Sequence, residues 1–130
     1  MKEKIKPYQI EVNPSWVVFI NGFKANNLFG FIWLWFSLFS IIRNTGKAKG
    51  CGLAIPAVVS PIEVVMISYW NDKISLKEFA KSKHHKRYMQ FVYQNPKALS
   101  LFNETFEPQQ SGLYFNKPMG MSKLTSNQKS

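Results

Sequence analysis

A chain of 130 residues holds one domain and leaves little room for two. Hydrophobic residues make up 45% of it, with Phe 11, Tyr 5 and Trp 4, which excludes a chain disordered throughout and provides more aromatic area than a small core needs. Lys and Arg number 17 against 7 Asp and Glu, a net charge of +10. They are scattered and accompany no zinc finger or basic zipper, so a solvated basic surface is expected and specific nucleic-acid binding is not.

Residues 1–13 are charged and read as an arm ahead of a domain spanning 14–119, with a polar, flexible tail at 120–130. The polar start does not resemble a secretory leader. Cys51 is the single cysteine, which fits a reducing, cytoplasmic setting, and its glycine neighbours suggest a strand entry, not a thiolate site.

The β-branched and aromatic run Trp16-Val17-Val18-Phe19-Ile20 predicts a buried strand ending near Asn21-Gly22. The apolar stretch 28–42 predicts a helix, capped by Asn26 or Asn27 and with Arg43 at its negative end. Its faces carry Phe29, Phe31, Trp33, Trp35, Phe36 and Phe39, apart from a narrow small or polar stripe of Asn26, Gly30, Ser37, Asn44 and Ser40. So apolar a helix is covered by a partner or meets lipid. Its uncharged run, 25–42, falls just short of the ~20 apolar residues of a membrane span. The basic segment 43–50 reads as a loop; its spacing is not that of a phosphate-binding P-loop.

Two strands follow, at 52–60 and 62–70, joined by the Ser60-Pro61 turn. Pro56 marks an edge position or a bulge. Ser75 with Glu78 matches a capping box, and two helical pieces with a bend are expected before Asn95-Pro96. Residues 99–107 form a fourth strand, with Leu101, Asn103 and Thr105 on one face and Phe102, Glu104 and Phe106 on the other. Residues 113–116 make a short fifth strand or an arm.

This order, strand-helix-strand-strand-helix-strand, is that of a ferredoxin-like βαββαβ fold of the α+β class. Both helices then cover one sheet face. The other, apolar face calls for a second copy packed sheet to sheet, a homodimer enclosing a cavity.

Candidate chemistry is sparse. Glu104 sits between two aromatics, where burial would raise its pKa and suit it to general-base work, or it is simply paired with one of many lysines. His84 and His85 project about 100° apart on a helix and cannot share a metal. Tyr69 and Trp70 either line an aromatic pocket or are core and rim.

Several segments carry a resemblance: Val64 to Trp70; Leu76, Phe79-Ala80 and His85-Lys86-Arg87-Tyr88-Met89; Phe102-Asn103-Glu104-Thr105-Phe106; and Tyr114-Phe115-Asn116 before Pro118. Together they resemble the small monooxygenase-like proteins of the dimeric α+β barrel superfamily, a family that includes a member from fungal fumagillin biosynthesis. The resemblance implies an oxidoreductase acting on a hydrophobic small molecule without a cofactor, although haem-containing relatives leave haem open. It implies Glu104 as base, Asn103 as donor to the developing anion, and Tyr69, Trp70, Phe102, Phe106, His85 and Tyr88 around the substrate. One departure stands out: where the family pattern reads Trp-His-Glu-Thr-Tyr, this chain has Asn103 for the histidine, an amide that can hydrogen-bond but cannot shuttle protons. Two further readings remain, a non-catalytic module binding haem or an apolar ligand, and a peripheral protein seated on anionic membrane through the aromatic helix.

Overall fold

The computed structural model describes residues 6–128. Four strands, β1 (Val17–Ala25), β2 (Cys51–Ser60), β3 (Glu63–Trp70) and β4 (Leu99–Phe106), form one antiparallel sheet in the order β2-β3-β1-β4. Helix α1 (Leu28–Lys47) connects β1 to β2, and α2 (Lys73–Ala80) and α3 (Lys83–Gln94) connect β3 to β4. This is the expected ferredoxin-like α+β arrangement. Pro56 lies on β2, an edge strand, as expected of a residue that cannot donate to the ladder.

Alternation along the strands assigns the faces. Val17, Phe19, Asn21 and Phe23 of β1 pair with Trp70, Ser68, Met66 and Val64 of β3, and this face packs against the helices. The core joins Phe23, Val64, Met66 and Leu99 to Leu34, Leu38 and Ile41 of α1. Gly30 lets α1 approach this closely: a Cβ there would stand 1.9 Å from the Ala98 carbonyl oxygen. The small stripe of α1 is therefore partly a packing seam.

Several boundaries differ from expectation. β1 runs on to Ala25, because pairing with both β3 and β4 carries it through Asn21-Gly22. α1 continues to Lys47, so most of the predicted basic loop is helix; Ile41 and Thr45 are buried, and that burial outweighs the helix cost of Gly46. At 20 residues the helix has the length and composition of a membrane span, and 28% of its apolar stretch is buried within the protein. The N-terminal cap is Asn27, whose Oδ1 accepts from the Gly30 N–H at 2.9 Å. Asp72, not Ser75, caps α2: its Oδ1 takes the Ser75 N–H at 2.7 Å, so Ser75 is the third helical residue. That bond lowers the Asp72 pKa.

Residues of the arm and of the tail contact the domain. Of the expected fifth strand only one bridge forms, Tyr8 with Tyr114. The tail forms α4 (Ser122–Gln128), and Met121 and Leu124 bury themselves against Trp16, with Ile10, Val12, Leu53 and Tyr69 around them. The small number of apolar residues in the tail conceals this docking. The parts of the arm and tail at 1–5 and 129–130 lie outside the described residues.

Candidate active site

A narrow cleft with a void of about 10 Å³ lies between the sheet and the helices. Its floor is the helix-side face of β1 and β4, where Asn21 and Asn103 are register partners, flanked by Phe19 with Thr105 and Phe23 with Leu101. Its roof is Phe79 of α2 and His85, Tyr88 and Met89 of α3, with Thr45 of α1 closing one side. Phe79 and His85 also line a second, mostly apolar lobe of about 290 Å³ over Phe19, Leu76 and Thr105. Lys73 and Lys77 stand in this lobe, and Lys73 forms an ion pair with Glu107.

Asn21 is the unusual floor residue. It is 9% exposed, and among the described residues no group hydrogen-bonds its buried Oδ1. A buried amide oxygen without a partner carries a desolvation cost that a bound donor would relieve. Asn103 lies opposite on the edge strand β4 and is exposed, so its amide is within reach of an incoming molecule.

His85 is set by its helix start. Ser82 caps α3 by accepting the His85 N–H, which fixes the first turn over the cleft. The imidazole is half-buried and meets Phe79 edge-on with centroids 5.6 Å apart. Burial pushes its pKa below the ordinary 6.5, and a hydrogen bond to the Ala80 carbonyl opposes this only in part. The ring is therefore neutral at pH 7; with one nitrogen donating to Ala80, the other carries a free lone pair. One turn on, Tyr88 Oη lies 2.9 Å from Ser40 Oγ and accepts from Asn44 Nδ2 at 2.9 Å, which ties α3 to α1 beside the cleft.

The residues singled out from the sequence do not form one site. Asn103, His85 and Tyr88 come together in the cleft. Glu104, Phe102, Phe106 and Tyr69 lie on the opposite face, open except where the docked tail covers Tyr69, because neighbouring residues of a strand point to opposite sides. Glu104 is exposed beside Ile20. Trp70 is on the helix side but fully buried; its Nε1 donates to Ser68 Oγ at 2.8 Å, which makes it core and not pocket wall. Tyr69 packs against the docked tail, and burial raises its pKa. Burial pushes the Cys51 thiol up to about 11, which disfavours the thiolate.

Asn21, Thr45 and Phe79 were not anticipated in the site. The sign for Asn21 was present, an amide in step with Val17, Phe19 and Phe23 where a core residue is due. No group of three His, Cys, Asp or Glu side chains suited to a metal occurs among the described residues.

The comparisons agree with this fold. A protein from Shewanella oneidensis is 19% identical, covering 83% of this chain and 98% of its own, with a TM-score of 0.62. A variant of SnoaB, a cofactor-independent oxygenase from Streptomyces nogalater, is 11% identical over 74% of this chain and 95% of its own, TM-score 0.60. A candidate antibiotic biosynthesis monooxygenase from Deinococcus radiodurans is 14% identical over 79% and 99%, TM-score 0.60. No curated protein matches the chain. The model of the family described as monooxygenase af470-like matches residues 16–121, every element from β1 to β4 included, and the chain therefore belongs to that family.

Proposed function

We propose that this protein is a cofactor-independent monooxygenase that oxidises an apolar, ring-bearing small molecule in the helix-side cleft, with His85 as the base. The observation that carries this is the pairing of two amides, Asn21 and Asn103, beneath a half-buried imidazole that also lines the larger, mostly apolar lobe. A substrate hydroxyl donates to Asn21 Oδ1. The free His85 nitrogen removes a proton from a CH₂ made acidic by a neighbouring carbonyl, and the Asn103 amide donates to the oxygen on which charge gathers. The carbanion adds O₂ to give a peroxide, which takes the proton back from the imidazolium. Loss of water leaves a ketone, so CH₂ and O₂ become C=O and H₂O. Low polarity around the anion favours its reaction with oxygen over reprotonation by solvent.

Similarity to a cofactor-independent oxygenase supports the absence of a cofactor. The apolar open sheet face supports a homodimer packed sheet to sheet, and the single, unreactive cysteine fits a soluble, cytoplasmic protein. Glu104 as base is the second reading. It places the chemistry between two sheets, next to Ile20, and leaves the amide pair unused.

Oxygen consumption with a panel of electron-rich phenols and polycyclic ketones tests both. His85→Gln should abolish turnover while Glu104→Gln retains it. The reverse result moves the base to the open face. No turnover by wild type, together with saturable binding of the same compounds, makes the cleft a binding module.

A further inference from the structure

Most of the outer face of α1 is left uncovered by the fold and the cleft, although the Phe29 ring meets Phe91 of α3. At about 100° per residue, Leu28, Phe29, Ile32, Phe36 and Phe39 fall within about 100° of arc, and Arg43 and Lys47 continue the same stripe toward the C-terminus. All seven are exposed, with Leu28 at 72%, Phe36 at 83% and Phe39 at 70%. The opposite side of the helix, Gly30, Leu34, Leu38, Ile41 and Thr45, is committed to the sheet. The β2–β3 turn extends the apolar surface. Trp35 Nε1 donates to the Pro61 carbonyl at 2.8 Å and holds the turn beside α1, and Val58, Val59 and Ile62 around it are exposed.

We propose that this face seats the protein on an anionic lipid surface, with α1 lying in the interface plane. Charge complementarity selects the occupant. The helix has no Asp or Glu, and its two cations prolong the apolar stripe instead of flanking a groove, so aromatic side chains enter the acyl boundary while Arg43, Lys47 and the following Lys49 meet lipid phosphates. A second copy does not account for this face: a dimer packed sheet to sheet uses the other side of the sheet and leaves α1 outermost. Nor does α1 span the bilayer, since its buried side would have to leave the core to do so. This inference is independent of which residue acts as base in the cleft.

Flotation of the full chain with phosphatidylcholine vesicles, with and without phosphatidylglycerol, tests it. Wild type should float with anionic vesicles and be released by high salt. Arg43→Glu with Lys47→Glu should lower partitioning at least ~10-fold, and Phe36→Ser with Phe39→Ser should abolish it. All four positions are exposed, so unchanged thermal unfolding should show that both variants fold. The proposal is overturned if wild type stays unbound, if neither variant alters flotation, if only alkaline detergent extraction releases the protein, or if α1 variants change oligomer size without vesicle binding.

Discussion

Asn21 and Asn103 stand opposite each other on β1 and β4, one buried and one exposed, both on the helix side of the sheet. The pair sets a conflict between stability and binding at Asn21. Its buried Oδ1 has no protein partner among the described residues, and leaving such a group unpaired costs about 1–3 kcal/mol. Asn21→Leu should raise the free energy of unfolding in urea by about 1 kcal/mol. Binding of a hydroxylated aromatic, measured by fluorescence quenching, should weaken at least ~10-fold, the size of one lost buried hydrogen bond. A destabilised variant with unchanged binding would mean that Asn21 is structural.

His85 links the site to pH. Its folded pKa lies below the ordinary 6.5 because burial disfavours the imidazolium. Between the folded value and 6.5 the unfolded chain binds more protons than the native one. The His85 contribution to stability is therefore complete above about 6.5 and is lost as pH falls through the lowered value. Turnover should fall over the acid side of the same window as the base protonates. Denaturation midpoints and rates measured from pH 5 to 8 should follow this course in wild type, and His85→Gln should flatten the stability change.

Ile55, Ile67, Ile20 and Glu104 form one row across β2, β3, β1 and β4 on the open face. The central pair is where a second sheet would press most closely. Ile67→Lys should convert the homodimer to a monomer in light scattering, because a buried unpaired cation costs several kcal/mol. The secondary structure should survive, since the helix-side core is untouched. A monomeric wild type would remove the basis for this dimer.

Gly30 tests how closely α1 approaches the strand connection. Alanine improves helix propensity by about 1 kcal/mol. Its Cβ, however, meets the Ala98 carbonyl, a backbone atom that cannot swing aside as a side chain can. Overpacking of this kind costs about 1–3 kcal/mol, so Gly30→Ala should lower stability despite the better helix. Gly46→Ala, in the same helix with open space around the added methyl, should raise it by up to about 1 kcal/mol.

Local pattern determined much of this protein. β-branched and aromatic runs, turn signals and helical spacing are short-range properties, and they identified four strands and the intervening helices in the right order. The two faces of β4 also followed from alternation alone. What the pattern could not state was which face each chemistry would use. Alternation puts Glu104 and Asn103 on opposite sides of β4, but only the tertiary structure shows that the Asn103 side is the one the helices cover. Asn21 and Thr45 joined the cleft through contacts distant in sequence, as did the docking of Met121 and Leu124 on Trp16. Ser75 looked like a cap until Asp72 took its N–H. Caps and clefts depend on where backbone groups meet after the sheet has closed, and that information belongs to the tertiary structure.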